Sequence, residues 1–364
     1  MKRIIVLLML LAFALCAVPA GAELGFAEVN RDQVNLRETP DGKRITYLDQ
    51  RHSVFVFEEK QVDGQLWCHV YTHVNKRTRD AWIRGDMLRF VSDEFTNIVS
   101  VQAGDQYVTG VRADGTVAII GDDMPHLPCV DTVRRWQNIA QVTSSTCSVY
   151  ALDQNDCLIT VGRNNAYGGG MAAKLCGNEP ILLDAQGGIM PETWSWATDG
   201  QYDAHYYERG AIGDALCETA LGYERMLCGA LTKDGRIICV NEFEHLGDHF
   251  RNGPYVAADA NWSHIVALRK DGGVDAAAAY MEKGNQKCDV SLWQNVVKVV
   301  AGADHTLGLR ADGTVYYAGN DERHARQIAQ WTDVVDLDAG NGYSIALCAD
   351  GSVMMAGAYI GYDR

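Results

Sequence analysis

The segments WQNVVKVVAGADHTLGLRADGTVYYAGN (293–320) and WTDVVDLDAGNGYSIALCADGSVMMAGA (331–358) are one phrase written twice, 38 residues apart. Gly302, Asp312 and Gly319 in the first correspond to Gly340, Asp350 and Gly357 in the second, and Gly104, Asp114 and Gly121 keep the same spacing. A unit this short holds only a few strands and no core of its own, so it must pack on its neighbours. Val296 to Val300 reads as a strand, Ala301-Gly302 as a turn, and His305 to Arg310 as the next strand. Asp312-Gly313 then forms a hairpin into Thr314 to Ala318. Asp-Gly is expected to make a two-residue turn with positive φ at both central positions. Gly302 is expected where a Cβ would block a backbone angle or a close approach.

The unit can be followed along the chain. Trp136-Gln137-Asn138-Ile139 opens a copy that has Asn155-Asp156 in place of Asp-Gly, and looser copies use Asp234-Gly235 and Asp271-Gly272. The weakest, Asp199-Gly200, follows Trp194 and Trp196. Anchors at 114, 155, 199, 234, 271, 312 and 350 have a mean spacing of about 39 residues. Seven units fill 94–364, and β-units of this length suit propeller blades. The expected fold is all-β, a seven-bladed β-propeller; the third unit rests on spacing, so six is the alternative count.

Residues 23–92 carry short alternating runs, VNLR, SVFVF, WCHVY and AWI, separated by Pro40-Asp41-Gly42 and Val62-Asp63-Gly64. About five strands in so short a span read as a small barrel. The order VNLRETP, a hydrophobic strand, DGQLW, HVY and a closing AWI resembles the bacterial Src-homology-3-like family. It departs at Ala81, where that family usually has glycine, and in the basic stretch Asn75-Lys76-Arg77-Thr78-Arg79. The resemblance implies a module that binds cell-wall peptides or partner proteins. Trp67 and Trp82 are candidates for an aromatic ledge, although tryptophan in a small barrel is commonly core. Arg77 and Arg79 are read as a loop suited to an acidic partner.

AGADHTLGLRADGTVYYAGN, together with VGRNNAYGGG at 161–170, resembles the repeats of the regulator of chromosome condensation. That resemblance implies propeller blades. The shorter period is nearer to secreted bacterial members, one group of which inhibits β-lactamases. Fold kinship alone does not transfer function.

Lys2 and Arg3, an apolar run from Ile4 to Val18, and Ala20-Gly21-Ala22 read as a secretory leader over 1–22, cleaved after Ala22. Leu15 before Cys16 disfavours a lipoprotein site. The expected location is secreted or cell-envelope-associated, with no transmembrane segment. Removing Lys2 and Arg3 leaves 30 basic residues against 47 acidic ones, a charge of −17. Such a field repels nucleic acid, so none is expected as a partner. Nucleotide exchange on a small GTPase, the namesake activity, is excluded by the leader. Ten cysteines remain without Cys16, scattered and with no CxxC. Most are expected to be buried thiols, with one or two bridges.

Catalytic signals are missing: there is no GxSxG, no HExxH and no P-loop lysine beside Gly168-Gly169-Gly170. His245 and His249 flank Gly247-Asp248, a poor helical centre for a metal pair. No catalytic residue, cofactor or metal is expected. The glycine-to-strand loops present Asp105 and Tyr107, Trp262 and His264, Asp304 and His305, and Asn341 and Tyr343. These are candidate partner contacts, because loops on a rigid frame carry recognition and aromatic rings anchor interfaces. Packing inside the blades is the other reading of the same rings. The expected function is non-catalytic binding of a protein or cell-wall polymer by a monomer. A secreted enzyme inhibitor and a cell-wall-acting enzyme are the alternatives.

Overall fold

The computed structural model describes residues 25–74, 77–104, 107–121, 129–144, 148–162, 174–176, 181–183, 186, 217–223, 226–261, 263–279 and 286–357. The segment expected to be a leader, 1–22, the glycine run at 168–170 and the hairpin expected at Asp199-Gly200 lie outside these residues.

Seven strands come first: β1 (Gly25–Val29), β2 (Val34–Arg37), β3 (Arg44–Leu48), β4 (Ser53–Val62), β5 (Gln65–Val74), β6 (Arg77–Arg84) and β7 (Leu88–Phe90). They form one sheet in the order β3-β2-β6-β5-β4-β1-β7. Alternation along each strand sends Leu36, Val54, Val56, Val70, Ala81 and Ile83 into one core. The same alternation turns Phe55, Trp67, His69, Tyr71 and Trp82 to the opposite face. Arg77 and Arg79 do not lie in the loop expected from their charge, and Asn75 and Lys76 lie outside the described residues. Arg77 and Arg79 belong to β6 and pair with Val74 and Thr72 of β5, so backbone pairing overrides the polar composition.

After α1 (Val91–Glu94) the chain becomes a succession of small antiparallel sheets. The first is β8 (Ile98–Ala103), β9 (Tyr107–Arg112) and β10 (Val117–Gly121). Beyond α2 (Cys129–Val133) come β11 (Ile139–Ser144), β12 (Ser148–Asp153) and β13 (Leu158–Gly162), then a pair, β14 (Lys174–Cys176) and β15 (Ile181–Leu183). The next sheet is β16 (Cys217–Tyr223), β17 (Met226–Thr232) and β18 (Ile237–Cys239), followed by β19 (Tyr255–Asn261), β20 (His264–Arg269) and β21 (Val274–Ala278). β22 (Val296–Ala301), β23 (His305–Arg310) and β24 (Val315–Gly319) lead through α3 (Glu322–Ile328) to β25 (Val334–Ala339), β26 (Tyr343–Cys348) and β27 (Val353–Gly357). Each sheet touches the next, and β25 and β26 touch β8, so the sheets run round a closed circle in a propeller-like arrangement. The α-helices α2 and α3 between sheets were not foreseen from the repeat.

The hairpins differ from expectation in one respect. Arg310 N donates to Thr314 O at 2.9 Å and Gly313 N to Arg310 O at 3.0 Å, which leaves a three-residue loop. Only Gly313 takes positive φ, +79°, as in a type I turn closed by a glycine bulge. Asp312 contributes differently: its carboxylate accepts from Thr314 N at 3.1 Å and from the Thr314 hydroxyl at 2.6 Å. These bonds hold it below the usual carboxylate range. The Gly313 carbonyl then accepts from Val334 N at 3.0 Å, tying one sheet's hairpin to the next sheet's first strand.

The close approach at Gly302 has a specific cause. A Cβ there would lie 2.7 Å from His305 Nδ1, and one on Gly340 would lie 2.5 Å from Tyr343 Cζ. Each glycine leaves room for the ring three residues on, which begins the middle strand.

The N-terminal sheet packs over the place where the circle closes. Phe26 and Phe55 share a core cluster with Phe95, Ile98, Tyr343 and Ile345. Phe26 meets Phe55 edge-on at 5.0 Å and Tyr343 at 6.2 Å. Charge reinforces the junction: Arg134 lies 3.3 Å from Glu94 and 3.7 Å from the buried Glu28, and Arg51 pairs with Asp131 at 2.7 Å. Arg89 also bonds Glu28.

At the closure, the Tyr343 hydroxyl donates to the Gly104 carbonyl at 2.6 Å with both groups buried. Tyr343→Phe is expected to lower stability by about 1–2 kcal/mol, because the carbonyl stays buried and loses its donor. Tyr343→Ala is expected to lower it by about 3–5 kcal/mol through the cavity. Denaturant unfolding of the two variants checks both values and their order.

Candidate binding surface

Four of the ring residues singled out from sequence are not surface contacts. Tyr107, His264, His305 and Tyr343 open β9, β20, β23 and β26, and all are fully buried. Rings at the inner end of a blade meet the neighbouring sheet before they meet solvent, and their bonds show this. His264 Nε2 lies 2.8 Å from Thr306 Oγ1 in the next sheet. The Thr306 hydroxyl donates to Lys287 O at 2.6 Å, so His264 must be the donor to Thr306. Burial, with the Lys287 charge adding to it, pushes His264 down to about 3 and keeps it neutral.

The next sheet carries a longer version. Asp304 Oδ1 lies 2.9 Å from His305 Nδ1, His305 Nε2 lies 2.9 Å from Ser344 Oγ, and Ser344 Oγ lies 2.9 Å from His324 Nε2. One hydroxyl hydrogen cannot serve two imidazoles, so one ring accepts from Ser344 and the other donates to it. Asp304 takes the His305 Nδ1–H. With one hydrogen per ring in this chain of bonds, donation runs from His324 to Ser344, from Ser344 to His305, and from His305 to Asp304. Burial pushes His324 down to about 2, with His305 adding to the shift. Desolvation by the neighbouring rings opposes the charge on the otherwise exposed Asp304, but the bond from His305 outweighs it and holds this carboxylate below its usual range. An acid, a histidine and a serine in this order match the parts of a hydrolytic nucleophile. Ser344 is sealed from solvent and its oxygen is engaged by two rings, so the group joins sheets instead.

A sequence signal for these joints existed. The hydroxyl that meets each ring is the second residue of the next middle strand, Thr306 for His264 and Ser344 for His305. A search within single repeats misses it, because donor and acceptor belong to different repeats.

Carboxylates on the first strands make similar joints. Asp259 accepts from Ala301 N at 2.8 Å, and Asp338 accepts from Ala103 N at 2.7 Å and from Gln102 Nε2. Lys298 Nζ lies 2.5 Å from Asp336 Oδ1. Burial pushes Asp338 up to about 7 and raises Asp259 as well. Among the described residues no cluster of His, Cys, Asp or Glu gathers in metal-binding geometry. His245 and His249 lie in a 3-10 helix, Asn241–His249, and both are exposed. The described cysteines form no disulfide, so the expected bridges are not among them. Burial, with Glu59 adding to it, pushes the Cys68 thiol up to about 12, and burial alone does the same to Cys239. These are unreactive thiols.

The remaining candidates divide. Asp304 and Asn341 are exposed on their loops, while Asp105 and Trp262 lie outside the described residues. Trp67 is 2% exposed. Trp82 is half-buried and stacks on His69, with centroids 4.4 Å apart and planes 3° apart. His69 meets Phe57 at 4.2 Å on its other side. His69 also bonds Asp80. Arg323 of α3 reaches across from the ring and lies 4.7 Å from the Tyr71 ring centroid and 5.0 Å from that of Phe57. Such contacts hold a guanidinium over an aromatic face. The result is a partly open aromatic row on the N-terminal sheet, anchored to the ring at one end, with exposed Arg77 at the far end of β6. Sequence reading found Trp82 but missed His69, Phe57, Tyr71 and Arg323, which meet only through cross-strand register and domain packing.

Residues 296–324 match the model of the regulator of chromosome condensation (RCC1) repeat. A search of curated proteins finds no match. Among solved structures, the chain is similar to the CRINKLY WD40 ectodomain of the Arabidopsis thaliana receptor kinase ACR4, with 12% identity, coverage of 91% of this chain and 96% of that one, and a TM-score of 0.41. It is also similar to the entire ectodomain of the Physcomitrella patens receptor kinase CR4, with 14% identity and a TM-score of 0.36, covering 72% of this chain and spanning 64% of that one. Prp20p from Saccharomyces cerevisiae is a further neighbour, with 11% identity, coverage of 85% and 67%, and a TM-score of 0.25.

The raised Asp338 has a testable consequence. A carboxyl whose folded value lies above its unfolded one binds a proton more tightly when folded. Its contribution is fully present below about pH 4 and is lost as pH rises toward about 7. Asp338→Asn retains an oxygen acceptor for Ala103 and cannot ionise. Its stability should therefore fall less than that of the parent between pH 4 and 8, by roughly 2–4 kcal/mol. Urea melts across that range measure the difference.

Proposed function

We propose that this chain is an exported, non-catalytic recognition protein, a monomer built as a seven-bladed propeller with a Src-homology-3-like module docked on its seam. Its partner is a protein or a cell-wall polymer. The observation that carries this reading is the aromatic row Trp82–His69–Phe57, partly open to solvent and held in place by Arg323 from the ring. Rigid rings presented on a scaffold bind with little loss of side-chain freedom. The RCC1-type repeat supports the scaffold half of the reading. Basic Arg77 and Arg79 at the end of the same strand favour an anionic partner, although the chain as a whole is acidic. The leader-like segment at 1–22 supports export. Against catalysis stands the relay at Ser344, which has the residue types of a nucleophile and no access.

Retention of the full chain on envelope fractions tests the reading. Trp82→Ala and Arg77→Glu are each expected to weaken retention about tenfold or more, with the melting of the Arg77→Glu protein unchanged. Equal retention of both variants and the parent would overturn the proposal. Inhibition of a β-lactamase that neither substitution affects would favour the inhibitor reading in its place.

A further inference from the structure

On the same outer face, beside the aromatic row, a cavity of about 220 Å³ opens between the turn at 31–33 and strands β2, β5 and β6. Its wall carries three guanidinium groups, Arg31, Arg37 and Arg84, against one carboxylate, Asp32. In a chain with 47 acidic and 32 basic residues this is a local reversal of sign.

The bonds already made decide which charges can receive a ligand. Asp32 accepts from Gln50 N at 3.0 Å. Arg84 is held by Asp86 through Nε at 2.9 Å and Nη2 at 2.6 Å. Arg37 donates only through Nη1, to Gly42 O at 2.6 Å, and Arg31 only through Nε, to Asn30 Oδ1 at 3.3 Å. The other N–H groups of Arg31 and Arg37 face no acceptor among the described residues. Trp67 lines the cavity as an aromatic wall, and its buried indole N–H has no partner among the described residues. Val34 and Met87 add apolar surface.

We propose that this cavity binds a small organic acid, its carboxylate held by Arg31 and Arg37 and its apolar body lying against Trp67 and Met87. Guanidinium forks match a planar carboxylate, and small-ligand sites combine apolar walls with a few placed polar groups. A bare phosphate would engage the arginines and leave the apolar wall uncovered. The inference rests on the reading of this face as a binding surface, but its test needs no macromolecular partner.

The full chain is titrated with phenylacetate, with uncharged phenylacetamide and with inorganic phosphate, followed by calorimetry and by the indole N–H signals. The Trp67 signal is identified through Trp67→Phe. Phenylacetate is expected to bind saturably, to move the Trp67 signal and to weaken with added salt. Phenylacetamide and Arg37→Gln should each lower affinity about tenfold or more. Arg44→Gln, an exposed position on β3 outside the cavity, should leave affinity and melting unchanged. Equal binding of acid and amide, equal loss in Arg44→Gln, or phosphate binding as tightly as phenylacetate would overturn the proposal. Binding of phenylacetate with no retention on envelope fractions would sink the larger reading and leave the cavity assignment standing.

Discussion

The structure depends on polar joints made between neighbouring sheets by residues that open the middle strands. Apolar packing draws the sheets together but sets no register between them, because it is not directional. The joints at His264–Thr306, His305–Ser344 and Tyr343–Gly104 do set it, each with one donor and one acceptor in a water-free setting. A mismatch at any of them would leave a polar group buried and unpaired, which is more costly than the bond is stabilising. The last of these joints connects the final sheet to the first. Closure thus uses the same position of the repeat as the joints at His264 and His305, with tyrosine in the place of histidine.

That reasoning separates rings that hold the scaffold from rings that face outward. A histidine or tyrosine at the start of a middle strand is committed to its neighbour. Trp82 and His69 are different: they lie on a sheet face that the ring covers only in part, through Phe55, Tyr71 and Arg323. The open end of the aromatic row and the junction with the ring are therefore two ends of one row of side chains, and what fixes one orients the other.

Much of the propeller-like region was legible in the sequence because turn chemistry is local. Asp312-Gly313 and Asp350-Gly351 announce their hairpins within four residues, and the period follows from counting them. The two-residue turn was wrong by one residue because the bulge that closes it leaves no mark in composition. The repeat places tyrosine, serine and histidine in turn at the His305 position, in Tyr107, Ser148, His264, His305 and Tyr343. Their burial did not follow from it, since the residues that enclose them come from the next repeat. Arg77 and Arg79 looked like a loop because charge suggests solvent, whereas pairing along β5 made them strand. The contact of Phe26 and Phe55 with Tyr343 and Ile345 joins opposite ends of the chain, and no local pattern encodes it.

The first and last sheets share no strand among the described residues, and the N-terminal sheet lies across the gap between them like a clasp. This arrangement imposes an order in time. Phe26 and Phe55 are made early in synthesis, yet the surface that shields them is complete only when residues 343–345 have emerged. For nearly the whole of its making, the chain carries an unshielded aromatic patch near its start. Holding that patch away from other chains is a task for whatever accompanies it until the final repeat arrives.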